Sequence, residues 1–249
     1  MELLKINNLR KIFKKNKVVA IDSVDFSIFK GEVLGLVGES GCGKTTVAKL
    51  ILRLIDADRG SILYRNNDLL KIPHKDMRKL RKDLQIIFQD PYASLDPRMK
   101  IGEALEEVYI IHSNIPKGER KKKVVELLEM VGLGKSYLER LASELSGGER
   151  QRVGIARSLA SEPEFIICDE PVSSLDISIQ AQILNLLMEL QRKKNLTYLF
   201  ISHDLGVIGS ICDRVIVMQK GRFIETGACE DVFKNPKDEY TKELLSAAF

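Results

Sequence analysis

The sequence has no tryptophan, and its four cysteines, Cys42, Cys168, Cys212 and Cys229, form neither a C-x-x-C pair nor a Cys/His cluster with metal spacing. Structural zinc and a disulfide framework are therefore excluded as the basis of the fold, and reduced, cytoplasmic thiols are expected. No apolar run approaches the ~20 residues needed to cross a bilayer. Glu2 and Lys5 stand too early for a secretory signal. A membrane role has to come through a partner. Pro/Gly-rich tracts, low-complexity segments and solenoid repeats are absent. So is a large charge of one sign: a net +4 over 249 residues is weak ground for a polyanionic partner. The densest basic stretch, Lys117 to Lys123, leads into Val124, Val125, Leu127 and Leu128 at helical spacing, with no aromatics interleaved. It reads as a solvated helix face rather than a nucleic-acid patch.

What is present is an ordinary globular composition, 44% hydrophobic and 30% charged, enough to bury a sizeable core. Short apolar runs at Leu3–Leu9, Val24–Ile28, Glu32–Val37, Ser61–Tyr64 and Leu84–Phe88 predict strands. A helix is predicted from Gly43 to about Leu54, with Val47, Leu50, Ile51 and Leu54 on one face. From Pro91 to about Ala160 strand signals vanish, and amphipathic stretches at Ile101–His112, Glu119–Val131 and Glu149–Ala160 predict a helical insertion. Strands at Glu164–Cys168, Thr197–Ile201 and Arg214–Met218 then alternate with helices at Ile177–Lys193 and Leu205–Ile211. Such alternation implies an α/β fold with a mainly parallel sheet. The tail from Cys229 reads as two short helices broken near Pro236. One domain over 1–249 is expected, with a core of 1–90 and 161–228, a helical subdomain of 91–160 and a tail of 229–249.

The segment Gly38-Glu39-Ser40-Gly41-Cys42-Gly43-Lys44-Thr45 fits G-x-x-x-x-G-K-[ST] in full. Chance yields such a match in about one in a hundred chains of this length, and here a strand precedes it and a helix follows. Glycines let the backbone curl so that successive N–H groups face one anion, and the helix start adds its dipole. Lys44 brings a mobile charge to the β- and γ-phosphates of ATP. Thr45 offers a hydroxyl to Mg²⁺, and Thr46 can reach a neighbouring phosphate. The apolar run Phe165–Cys168 delivers Asp169 and Glu170 at a strand end, the edge where α/β ligands bind. Asp169 is expected to hold Mg²⁺, directly or through its water, and Glu170 to act as general base. His203, after the strand Thr197–Ile201, is expected to contact the γ-phosphate and to orient Glu170 and the water.

At this point the sequence resembles the ABC-transporter ATPases. Leu145-Ser-Gly-Gly-Glu-Arg-Gln151 is similar to that family's signature motif, and the resemblance spans nearly the whole chain. It implies a phosphate-loop NTPase core with a mainly parallel sheet, an antiparallel β subdomain and an inserted helical subdomain. It further implies that Ser146, Gly147, Gly148 and Glu149 meet ATP held by the loop of a partner chain docked head to tail. Gln89 matches the glutamine that senses Mg²⁺ and the attacking water. Ser174-Leu175-Asp176 matches a loop that crosses the dimer interface, and Phe13 the aromatic that stacks on adenine. Phe88–Arg98, Glu170–Gln182, Tyr198–Leu205 and Asn235–Leu245 resemble the oligopeptide, dipeptide and nickel importers. Three departures stand out. Glu149 replaces the usual glutamine. No cysteine-rich segment for an iron–sulfur cluster follows, so none is inferred. Asp238-Glu239 stands where a His-Pro pair is common, so cargo is not read from the tail.

The resemblance implies an ATPase on the cytoplasmic face of the cell membrane. Its implied partners are transmembrane permease subunits, a second ATP-binding subunit (a related chain or a second copy) and, indirectly, an extracytoplasmic substrate-binding protein. Peptides are the first expectation for cargo and nickel the second. The rivals are chromosome-maintenance or repair ATPases, translation-associated ABC proteins and a non-catalytic nucleotide sensor. The first carry long heptads, which are missing here. The second usually carry two cassettes, and this chain has one. Intact Asp169, Glu170 and His203 argue against the third.

Overall fold

A computed structural model of the chain describes residues 1–14, 17–90, 95–113 and 115–247. The expected start of the helical insertion, Pro91–Ser94, and the last two residues of the tail lie outside them. In chain order the strands are β1 (Glu2–Phe13), β2 (Val18–Phe29), β3 (Val33–Val37), β4 (Arg59–Tyr64), β5 (Asn67–Asp68), β6 (Leu84–Ile87), β7 (Phe165–Asp169), β8 (Thr197–Ser202), β9 (Arg214–Gln219) and β10 (Arg222–Ala228). The helices are α1 (Lys44–Ile51), α2 (His74–Leu80), α3 (Ile101–His112), α4 (Lys117–Met130), α5 (Gly147–Leu159), α6 (Ile177–Lys194), α7 (Leu205–Ile211), α8 (Cys229–Lys234) and α9 (Glu239–Ser246). They fall into two compact units, residues 1–78 with 194–249, and residues 79–193.

The first unit holds an antiparallel sheet in the order β2-β1-β4-β5 and a run of strands β10-β9-β3-β8. β3 pairs in parallel with both β8 and β9, and β10 closes back on β9. All residues of β3 and β8 are buried, as a strand covered on both faces requires. β1 and β2 run longer than their apolar patterns predict. Register shifts between Ile6 and Leu9 and between Leu9 and Lys11 reverse the alternation partway along. The edge-on rings of Phe26 and Phe223, 5.4 Å apart, join β2 to β10.

Helix α1 stops at Ile51, one turn short of the predicted Leu54. Arg53 turns left-handed at φ 49° and its guanidinium donates to the carbonyls of Leu69 and Ile72. Leu54 is therefore 50% exposed and is not part of the buried face. Helix α2 and strand β10 had no clear sequence signal. α2 is one short polar-rich stretch, and β10 is nowhere fully buried, so neither shows a clean period.

In the second unit β6 and β7 pair in parallel, Leu84 against Phe165 through Ile87 against Cys168. α3, α4 and α5 fall close to the predicted spans, with two short 3₁₀ turns, Lys135–Glu139 and Ala142–Glu144, between α4 and α5. All five residues of β7 are buried. The strand is consequently a rigid delivery arm, and its centre is Ile167. Ile167→Ala is expected to lower unfolding stability by about 2–5 kcal/mol in urea titration, the cost of a core cavity. A loss below about 1 kcal/mol would show that this strand is not packed as described.

Candidate nucleotide-binding site

In the first unit the chain leaves buried β3 and has to turn into α1 within six residues. Two glycines make that possible. Gly43, which precedes α1, has φ 119°, and a Cβ there would lie 2.5 Å from the Ala20 carbonyl oxygen; at Gly38 it would lie 2.1 Å from the Met218 carbonyl oxygen. No side chain caps α1, so its first amides and its dipole are turned toward whatever anion the loop encloses. Lys44 is 5% exposed, and its Nζ donates to the carbonyls of Gly38 at 2.7 Å and Glu39 at 2.9 Å. The charge is thus held over the loop that surrounds it. Thr45 is exposed and Thr46 half-buried on the first turn of α1.

Two features of the loop had no sequence signal. The Cys42 thiol lies 4.0 Å from Lys44 Nζ, and burial pushes its pKa up while Lys44 opposes the shift. The backbone N–H of Glu39 donates to the Tyr240 hydroxyl at 3.4 Å, so α9 touches the loop across 201 positions of sequence. α9 is held in turn by Glu225 on β10, whose carboxylate accepts from the amides of Lys237 at 2.9 Å and Asp238 at 3.1 Å. Phe13 ends β1 at 40% exposure with Lys11 Nζ 5.7 Å from its ring centroid. His203 stands exposed in the bend after β8, immediately before Asp204, which caps α7.

In the second unit β7 ends on Asp169, only 6% exposed. Glu170 follows at φ 47°, a left-handed conformation uncommon for a residue with a Cβ and typical of functional turns. Gln89 Nε2 donates to Glu170 Oε2 at 3.0 Å. Two of the three residues that sequence reading assigned to the attacking water, Gln89 and Glu170, are therefore in direct contact. The carboxylate is aimed by a side chain 81 positions away.

The Ser-Gly-Gly segment opens α5. Ser146 is its N-cap, and the Ser146 Oγ accepts from the Glu149 N–H at 3.3 Å. Glu149 Oε2 reaches back to accept from the Ser146 N–H and Oγ–H, both at 2.8 Å, a complete capping box. Its Oε1 accepts from the Tyr137 hydroxyl at 2.5 Å and lies 3.8 Å from Arg140 Nη1. The Tyr137 and Ser146 bonds hold the Glu149 carboxyl below its usual range, so it is charged at neutral pH. Glu149, expected among the ATP contacts, is thus engaged on both oxygens within its own chain. A Cβ on Gly148 would meet Ile179 Cγ2 at 2.7 Å, so α5 starts hard against α6. Asp176 of the expected interface loop caps α6, accepting from the Ile179 N–H at 3.0 Å and the Ser178 hydroxyl at 2.8 Å.

A strand, a glycine turn with a buried lysine and a helix with uncapped amides define the first unit as a phosphate-loop nucleotide-binding fold. The "ABC transporter" family model matches residues 21–173. The chain is 48% identical to the oligopeptide transport ATP-binding protein OppF of Streptococcus mutans, over 99% of this chain and 81% of that one. It is 49% identical to a putative peptide import ATP-binding protein of Brucella ovis, over 98% and 78%. Among solved structures, a dimeric post-hydrolysis ATP-binding cassette bound to ADP and Pi superimposes with a TM-score of 0.82 at 28% identity, covering 91% of this chain and 99% of that one. cbiO1 from Clostridium perfringens, part of the ABC transporter complex cbiONQ, gives 0.85 at 29%, covering 94% and 91%. The chain belongs to the ABC transporter family and is an ATP-binding, ATP-hydrolysing cassette. Among the described residues no helix is long and apolar enough to cross a membrane.

The environment of Cys42 sets a measurable behaviour. With its pKa raised, the reactive thiolate is scarce below the ordinary cysteine range and appears only as pH climbs past it. Maleimide labelling of Cys42, followed by mass spectrometry, is expected to be slow at pH 7 and to accelerate above pH 9. Labelling as fast as free cysteine at pH 7 would contradict this environment.

Proposed function

We propose that this chain is one of two nucleotide-binding cassettes that drive a membrane importer, with peptides as cargo and nickel as the second choice. The observation that carries the proposal is the Ser146 N-cap followed by Gly147 and Gly148 at the head of α5. A nucleotide fold that works alone needs one helix N-terminus for its phosphates. This chain has a second one, built of small residues and turned to solvent at Ser146. Its natural use is to cap the γ-phosphate held by the loop of a second cassette. The relatives named for oligopeptide transport and peptide import favour peptides over nickel.

In this reading Lys44 and the amides of 38–43 bind the phosphates, and Phe13 stacks on the base. Water attacks the γ-phosphorus, the bond to the β–γ bridging oxygen breaks, and Glu170 takes the proton. Gln89 fixes the Glu170 carboxylate, and His203 contacts the γ-phosphate. In this reading Mg²⁺ would be held through oxygen alone, by the Thr45 hydroxyl, the Asp169 carboxylate and the Gln89 amide oxygen, the donor type that suits this ion. Bound there, Mg²⁺ would neutralise charge on the β- and γ-phosphate oxygens. ATP favours the closed pair, and loss of the γ-phosphate removes that preference.

A groove in the second unit supports a permease partner. Phe88 and Ile111, 42% and 50% exposed, flank it, and His112, Gly154, Arg157 and the nearly buried Gln151 line it. Its rim begins one residue before Gln89, so a permease segment seated there would pull on the residue that aims Glu170. In this reading the chain is a peripheral subunit at the cytoplasmic face of the membrane, served by an extracytoplasmic binding protein.

Two experiments test the reading. Glu170→Gln is expected to keep MgATP affinity and to lose turnover by about 100-fold or more, measured by phosphate release; near wild-type hydrolysis would overturn the assigned role. Copurification from membranes is expected to bring down hydrophobic permease subunits, and Ile111→Glu to release them. A soluble complex without membrane proteins would favour the non-transport rivals.

A further inference from the structure

The capping box at the head of α5 has a feature that a neutral residue would not give it. Both polar hydrogens of Ser146, on N and on Oγ, point at one oxygen of a carboxylate, Glu149 Oε2. Those are the groups that an incoming phosphate would use. A helix start attracts an anion because its amides lack partners and its dipole is positive, and here an anion from the same chain already sits at it. Ser146 Oγ takes the Glu149 N–H and the Ser146 carbonyl takes the Arg150 N–H, so the amides of Gly147 and Gly148 are the ones that the cap and the first turn leave over.

The other oxygen of Glu149 is held on a second support. Tyr137, in the first of the two 3₁₀ turns between α4 and α5, donates its hydroxyl to Glu149 Oε1 at 2.5 Å. Arg140 stacks over the Tyr137 ring at 4.3 Å and brings its guanidinium within 3.8 Å of the same oxygen. The carboxylate is thus shared between the Ser146 cap and a Tyr137–Arg140 bracket. The bracket is where the charge can stay when Ser146 lets it go.

We propose that Glu149 is a resident anion at the signature helix that sets the ATP concentration needed to close the cassette pair, and that Tyr137 and Arg140 are positioning residues that hold its charge aside during closure. The inference rests on the sandwich reading given under Proposed function. Closure requires Ser146 to exchange a carboxylate for a phosphate, and it brings a negative group up to a triphosphate. Both effects raise the ATP threshold. The bracket lowers it by keeping a partner on Oε1 and offsetting the charge. The cassette therefore stays open until nucleotide is plentiful.

The test measures the ATP concentration for half-maximal closure by light scattering, using the full chain alone and in its purified transporter complex. All variants carry Glu170→Gln so that closed pairs persist. Glu149→Gln keeps an oxygen that accepts from the Ser146 N–H, so α5 stays capped, and the threshold is expected to fall about two- to fivefold. Tyr137→Phe, which keeps the ring beneath Arg140, is expected to raise it by a similar factor in the Glu149 background and to change nothing once Glu149→Gln is present. A merely structural role for Tyr137 would give the same shift in both backgrounds. An unchanged threshold in Glu149→Gln, or equal Tyr137 effects in both backgrounds, overturns the proposal and leaves the sandwich standing. If Glu170→Gln itself shows no ATP-dependent closure in either preparation, the sandwich reading fails, and this inference fails with it.

Discussion

Amides without partners at the start of a helix are the physical constraint on which this chain is built. Each α-helix begins with N–H groups that its own backbone cannot satisfy, and a fold has either to cap them or to use them. The chain caps four of its helices with side chains: Ser146 at α5, Asp176 at α6, Asp204 at α7 and Asp238 at α9. At α1 it does not. Gly43 offers no side chain, and the six-residue turn from β3 is shaped so that those amides converge. Glycine at 38 and 43 is the geometric condition for that convergence, because a Cβ at either position would run into carbonyl oxygens of neighbouring strands. The charge of Lys44 is then parked on the loop's own oxygens, so burial at 5% exposure leaves it well bonded.

The second unit handles strain in a comparable way. The stiffness of β7, buried at every residue, lets the next residue adopt an unfavourable conformation. Glu170 in the left-handed region costs on the order of 1 kcal/mol or more, and a flexible strand end would relax it. Gln89 and the turn at Ser173, whose amide and hydroxyl both donate to the Glu170 carbonyl, hold it in place. Under the proposed mechanism, a carboxylate fixed in direction before substrate arrives would need no reorganisation when it takes the proton.

How much of this could be read from the sequence follows the range of the interactions. The phosphate loop was legible because its chemistry is contiguous: glycines, lysine and threonine must be neighbours to shape one turn. Asp169 and Glu170 were legible because an apolar run ends on them, and the long helices were legible from their apolar period. The register shifts in β1 were hidden, because a bulge cancels the alternation on which strand reading depends. The early end of α1 was hidden because Arg53 turns away to the carbonyls of Leu69 and Ile72, which follow β5. The hydrogen bonds of Gln89 with Glu170 and of Tyr137 with Glu149 were hidden, since no periodicity links residues 81 or 12 positions apart across turns. Glu149 was visible as an unusual letter in a familiar motif, but sequence alone gave no hint that it is spoken for on both oxygens.

The contact of Tyr240 with the Glu39 amide has a consequence for how such cassettes diversify. The loop itself has little freedom to vary at Gly38 and Gly43, where a Cβ would meet a carbonyl oxygen, or at Lys44, whose ammonium is bonded to the loop's own carbonyls. Helix α9 is different: it is amphipathic, it lies on the periphery, and it hangs from β10 through Glu225. Small shifts in how that helix seats would slide a phenol along one amide of the cradle. Grip on the nucleotide can thereby drift between sister subunits while the cradle stays letter-for-letter the same.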